Sequence, residues 1–166
     1  FRKMFGGENF FLGKYEHPDG GKLTFAPSIP GHVEHRQLTN NSLNIMAGGF
    51  LACTPGVNIK AKFGGLKALF SGEGAFLLEA SGSGDLFFNS FGGVVEKQIN
   101  GEFIVDTGHV VAFDPSLDYK ITGMGSFKST MLSGEGMVMR FSGNGKLYLQ
   151  TRNVSSIASW LTPRLG

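Results

Sequence analysis

Residues 42–60, "SLNIMAGGFLACTPGVNIK", and residues 102–120, "EFIVDTGHVVAFDPSLDYK", align with each other without a gap. Each copy contains a strand-like apolar run, a glycine turn, a second run, a proline turn and a third run. Short runs of this kind between Gly, Pro, Asn and Asp are typical of β-strands joined by tight turns. Since self-similarity at a fixed period indicates repeated structural units, the pair predicts an all-β fold that contains two copies of one meander.

A second segment occurs three times: "FGGENFFLGKYEHPDGGKLTFAPS" from Phe5, "FSGEGAFLLEASGSGDLFFNS" from Phe70 and "LSGEGMVMRFSGNGKLYLQT" from Leu132. The internal turns PDGG, SGSG and SGNG favour a hairpin in each copy, because Gly and Asn accept the positive φ of tight turns. The repeating unit is then a hairpin followed by a meander. This predicts a single domain over 1–166, with units at about 5–62 and 70–120, an incomplete third unit at 132–166, and pseudo-threefold symmetry. One hypothesis is that residues upstream of Phe1 supply the missing meander and close the ring.

The chain ends in a different pattern, "NVSSIASWLTPRL". Its apolar residues fall on one side of a short helix: Val154, Ile157, Trp160 and Leu161. Asn153 or Ser155 is expected to cap this C-terminal helix, and Pro163 to stop it.

The composition fits a protein that contacts copies of itself. The chain has 166 residues, a net charge of +2, 17% charged and 41% hydrophobic residues. The usual charged fraction of soluble proteins is about 25%, so part of the surface is expected to lie in subunit contacts. Cys53 is the only cysteine, which excludes an intrachain disulfide and suits a reducing compartment. With no apolar run of membrane-spanning length, the sequence predicts a cytoplasmic homo-oligomer.

The stretch Asp106-Thr107-Gly108 resembles the catalytic motif of aspartic proteases. The repeat argues against that role, because Met46 occupies the position of Asp106 in the first copy. In the protease pattern a hydroxyl residue follows the glycine, whereas His109 follows here. We therefore interpret Asp106 as a turn residue that accepts backbone N–H bonds, and keep Asp106 and His109 as candidates of unknown role.

Histidines suggest a metal site as one alternative. His32 and His35, with His17 or His109, could ligate a metal in the manner of cupins, but the later Glu and His of that pattern are absent. Solvated loop histidines are the favoured interpretation, and no metal or cofactor is predicted.

Glu8, Glu73 and Glu135 occupy the same position in the three repeated segments. In a pseudo-threefold ring they could converge and bind a cation. The favoured interpretation is structural, with each carboxylate accepting hydrogen bonds from its own hairpin.

A lysine stripe suggests RNA binding as a second alternative. It comprises Lys22, Lys60, Lys62, Lys120 and Lys146, with aromatic residues nearby. Basic and aromatic side chains on a sheet can bind single-stranded RNA. The small net charge argues against a large phosphate footprint, and lysines on strands also discourage edge pairing.

Signatures of catalysis are lacking. The sequence contains no P-loop, no G-x-S-x-G and no Cys-x-x-Cys, and its Gly pairs precede strands rather than helices.

Several motifs together resemble the bacterial family named for altered inheritance of mitochondria: "GGENFFLGKY", "LTFAPSIPG", "GGFLACTPGV", "FIVDTGHVVAF" and "FSGNGKLYLQTRN". The resemblance extends over nearly the whole chain. It implies a fold similar to the tryptophan RNA-binding attenuation protein (TRAP), with three β units per chain and chains assembled into trimeric rings. It also implies an additional N-terminal meander, and no catalytic role for residues 106–109. The first functional hypothesis is a non-enzymatic structural or interaction protein that forms a β ring. The alternative is an RNA- or small-ligand-binding ring.

Overall fold

Antiparallel β-strands dominate the molecule, as the sequence predicts. The structure is a computed structural model that describes residues 3–4, 11–63, 76–123 and 137–165. The strands within these ranges are β1 Lys3–Met4, β2 Phe11–Leu12, β3 Val33–Met46, β4 Phe50–Cys53, β5 Val57–Phe63, β6 Phe76–Asn89, β7 Val94–Asp106, β8 Val110–Phe113, β9 Leu117–Gly123 and β10 Met137–Gln150. The predicted C-terminal helix is α1, Val154–Leu161.

Strands β3–β6, which we call module 1, and strands β7–β10, module 2, have the same layout. The long last strand of each module lies in the middle. β6 pairs with β3 on one side, and on its other side with β5 along its first half and with β4 along its second half. β10 pairs with β7, β9 and β8 in the same way. The two aligned meanders therefore occupy corresponding elements, including a 3₁₀ turn after β3 and after β7.

The turns that close the meanders are held by corresponding residues. Thr54 donates its N–H to the carbonyl of Asp85 at 2.9 Å, and its Oγ1 accepts the N–H of Asp85 at 2.8 Å. Asp114 makes the same two bonds with Lys146, at 2.9 and 2.8 Å. Each proline turn is therefore fastened to the central strand of its module.

The hairpins predicted at SGSG and SGNG are wrong. Residues 81–84 lie inside β6 and residues 142–145 lie inside β10, and both strands continue through them. Gly82 and Gly143 do take positive φ values of 123° and 120°, but within a strand. A Cβ on Gly82 would lie 2.3 Å from the carbonyl oxygen of Gly56. These glycines let the proline turn approach the strand closely, because they have no Cβ in the way.

The third predicted hairpin, at PDGG, is wrong for a different reason. The turn is present, because the Gly20 N–H donates to the carbonyl of His17 at 3.2 Å. The residues on either side of it, 13–17 and 21–30, form no strand. β6 and β10 lie between partner strands, whereas residues 13–26 have none within the described parts of the chain. Leu23 is consequently 54% exposed, while its counterpart Leu86 is fully buried.

The core is shared between the two modules. β3 pairs with β8 through Asn44 opposite Phe113 and Ile45 opposite Ala112. Phe88 of β6 and Tyr148 of β10 meet edge to face with ring centroids 5.4 Å apart. Both buried apolar clusters draw residues from both modules. The threefold division of the chain stays a prediction, since the opening residues of each predicted unit lie outside the described parts.

Helix α1 begins at the predicted cap, and no described part of the chain buries its apolar side. Asn153 accepts the backbone N–H of Ser155 at 2.9 Å through Oδ1. The helix ends at Leu161, and Pro163 follows in a 3₁₀ turn. None of the helical residues is buried. In the described ranges, no helix has the length and apolar character needed to cross a membrane.

Candidate interaction surface

Asp106 is a turn residue, as the repeat predicts. Its Oδ1 accepts the backbone N–H of Gly108 at 2.7 Å, which caps the 3₁₀ turn Thr107–His109. In the first copy Met46 stands before the corresponding turn and provides no side-chain cap. The carboxylate therefore has a local structural partner, of the kind expected for Asp at turns.

His109 holds the same turn to the end of β10. Its Nδ1 lies 2.8 Å from the carbonyl oxygen of Gln150, whose Nε2 donates to the carbonyl of Gly108 at 2.7 Å. Gln150 Oε1 also accepts the N–H of Phe91 at 2.9 Å. Gln150 thus links three segments. The sequence contains no motif that marks it, because its partners are backbone groups.

The other predicted ligands do not converge in the described residues. His32 pairs with Glu34 at 3.3 Å, His35 pairs with Asp85 at 2.8 Å, and His17 sits in the exposed turn before Gly20. Among the residues of known position, no group of three His, Cys, Asp or Glu side chains is placed to hold a metal ion. Glu8, Glu73 and Glu135 lie outside the described residues, so their convergence stays a prediction.

Two side-chain pairs occupy the same place in the two modules, but the acid lies on the central strand in module 1 and on the flanking strand in module 2. In module 1 His35 of β3 pairs with Asp85 of β6. In module 2 the flanking strand carries the acid: Glu96 of β7 pairs with Lys146 of β10 at 2.7 Å. The hydrogen bond from Lys146 lowers the pKa of Glu96 below its ordinary value.

The lysine stripe is partly neutralised by these and similar pairs. Lys146 is bound by Glu96, and Lys62 is bound by Glu79 at 2.9 Å. Lys60 and Lys120 are exposed. Two of the five predicted basic positions therefore contribute little free positive charge.

Equivalent strands of the two modules differ in how deeply they are buried. All four residues of β8 are buried, whereas all four residues of β4 are only half-buried. On the other side of the same contact, Asn44 of β3 is 5% exposed, but its counterpart Ile104 of β7 is 51% exposed. β8 and β3 cover each other, while β4 and β7 end the sheet and have free outer edges within the described residues. We call these the β4 edge and the β7 edge.

Sequence reasoning did not identify the two edges. The repeat aligns β4 with β8 and β7 with β3, but only the strand order shows which members of these pairs lie at the ends of the sheet. The apolar character of Ile104 opposite the polar Asn44 in the alignment was the available signal.

Comparisons with known proteins place the chain in a family. The family model described as mitochondrial biogenesis AIM24 matches residues 1–152. An uncharacterized protein of Streptococcus pyogenes serotype M6 is 33% identical over 163 residues, which are 96% of this chain and 66% of that protein. A crystal structure of a protein from Streptococcus pyogenes is 31% identical, with a TM-score of 0.74 over 84% of this chain and 62% of that one. The chain thus spans about two thirds of the length of the curated relative.

Proposed function

Because this chain belongs to the mitochondrial biogenesis AIM24 family, we propose that it is a non-enzymatic structural or interaction protein that assembles with copies of itself into an oligomeric β ring. The carrying observation is the unequal burial of equivalent strands. β4 is as apolar as its covered counterpart β8, and β7 carries the exposed Ile104 where the covered β3 has Asn44, yet β4 and β7 end the sheet within the described residues. Exposed apolar edges in a chain of low charge are typical of association surfaces.

The polar clusters support a structural role. Asp106 is hydrogen-bonded to the backbone of the turn, and His109 is hydrogen-bonded to the backbone of β10. A catalytic acid or base instead needs to reach a substrate atom at about 2.6–3.2 Å. The free Cys53 suits a reducing compartment, and this supports placement in the cytoplasm as part of the proposal.

The test is the native mass in solution. A protomer has a mass of 17.8 kDa, and we expect a trimer by light scattering and by native mass spectrometry over a range of concentrations. A monomer at every concentration would exclude the proposed assembly.

The second candidate function is a ring that binds RNA or a small ligand. It is favoured by Lys60 and Lys120, whose side chains are exposed. Binding of single-stranded RNA should weaken steeply with salt, and the variant Lys60→Ala with Lys120→Ala should lose it. Fluorescence anisotropy of a labelled oligonucleotide measures this binding. An anisotropy that does not rise with protein concentration at low salt would eliminate RNA binding as a function.

A further inference from the structure

We propose that the β4 edge of one copy pairs antiparallel with the β7 edge of a second copy, and that this contact repeats between copies the β8–β3 pairing found inside the chain. The inference rests on the proposed function and identifies the surface and the register through which the copies associate.

The register follows from the internal contact. Within one chain Asn44 faces Phe113 and Ile45 faces Ala112. β4 corresponds to β8, and β7 corresponds to β3, so the same contact between copies places Ile104 opposite Cys53 and Val105 opposite Ala52. The proposed contact needs no new backbone geometry, because the same antiparallel pairing already occurs between β3 and β8 of one chain.

Each of the two edges lacks a neighbouring strand that would bury it, and each could provide that strand for the other. Phe113 and Ala112 of β8 are fully buried because β3 covers them, and the corresponding Cys53 and Ala52 of β4 are only half-buried. Ile104 is exposed where Asn44 is buried. Joining the β4 edge to the β7 edge would give both strands the burial of their counterparts.

The chemistry of the edges suits a second copy rather than an unrelated partner. Neither contact pair, Ile104 with Cys53 or Val105 with Ala52, includes a charge. Proteins that keep an edge free usually place Lys or Pro there, and neither residue occurs in β4 or at the contact positions of β7. Each copy carries one edge of each kind, so the contact is head to tail and extends to rings or filaments.

The test uses the single native cysteine. In the variant Ile104→Cys, residues 53 and 104 of neighbouring copies would face each other. Directly opposed residues of antiparallel strands have Cα atoms about 4.5–5.5 Å apart, within the range that a disulfide spans. Oxidation with diamide at pH 8.5, where more of the Cys53 thiol is ionised, should produce disulfide-linked multimers on non-reducing gels. The higher pH is needed because burial raises the pKa of that thiol.

Two variants control for other linkages. The double variant Cys53→Ser with Ile104→Cys should give no linked species, whereas a symmetric β7–β7 contact would still link it. Val95→Cys, which introduces an equally exposed thiol at the far end of β7, should remain unlinked. Circular dichroism of each variant verifies that the sheet is intact.

Each outcome decides one of the two proposals. Linkage in Ile104→Cys alone supports the β4–β7 contact. An oligomeric mass without that linkage would overturn this interface and leave the proposed assembly standing. A monomer would overturn both, and the two edges would then be covered by a different partner or by another part of a longer chain. As a second measurement, Ile104→Lys should weaken self-association at least tenfold without loss of folding.

Discussion

At the scale of single residues, the close approach of two backbone segments determines where glycine is required. Gly31 forms a parallel bridge with Gly92, and a Cβ on Gly31 would lie 1.8 Å from the carbonyl oxygen of Ser90. We expect Gly31→Ala to lower the free energy of unfolding by about 2 kcal/mol, since the backbone must shift. Gly48→Ala is the matched control, because a Cβ there meets nothing within 4 Å. Urea unfolding measures both, and equal effects would show that the bridge adjusts freely.

Asp106 offers a second test at this scale. Asp106→Ala removes the acceptor for the Gly108 N–H and should cost about 1 kcal/mol of stability. Asp106→Asn keeps an oxygen at that place and should cost less. Thermal and urea unfolding of the two variants compare them. A loss in Asp106→Asn as large as that in Asp106→Ala would mean that the charge, and not the hydrogen bond, matters.

At the scale of strands, the pair Glu96–Lys146 predicts a pH dependence. The pKa of Glu96 is lowered in the folded protein, so its contribution to stability is present above the ordinary value of 4.5 and is lost as the pH falls through the lowered pKa. The parent protein should therefore lose more stability than Glu96→Gln between pH 7 and pH 3. Chemical unfolding at both pH values measures this difference, and Asp118→Asn, at an exposed carboxylate of β9, is the control. Equal losses in the parent and in Glu96→Gln would contradict the assignment.

Some of the strands and turns could be predicted from the sequence alone, and others could not. The meander and helix α1 were predictable because apolar periodicity, a proline turn and the Asn153 cap act locally. The hairpins at SGSG and SGNG were not, because glycine has the same sequence signature whether it turns a chain or admits a neighbouring backbone. The distinction depends on turns distant in the sequence, at Gly56 for Gly82 and at Ser116 for Gly143.

At the scale of the whole molecule, the shared core predicts that the modules unfold together. Phe88 of module 1 packs on Tyr148 of module 2, so Phe88→Ala should destabilise both by about 3–5 kcal/mol. Hydrogen exchange should then rise in β7–β10 as well as in β3–β6. Val154→Ala, on the exposed helix, is a control with little expected effect. A rise in exchange confined to module 1 would show that the modules are independent.

The candidate surface was less predictable than the fold at this scale. The low charge indicated subunit contacts, and the repeat supplied the equivalence of β4 with β8. Neither shows that β4 and β7 terminate the sheet formed by the described strands, since strand order depends on long-range pairing. Asp106 was interpretable from sequence only because the first copy carries Met46 at the same place.

Because the acid lies on the central strand in module 1 and on the flanking strand in module 2, the two side-chain pairs distinguish the native strand pairing from an exchanged one. A polypeptide with two similar halves can dock a flanking strand from one half against the central strand of the other while it folds. Exchanged partners would bring Glu96 beside Asp85, and His35 beside Lys146. Two carboxylates would then meet at the first site, and His35 would lose its carboxylate partner at the second, so the exchanged pairing would be less stable than the native one.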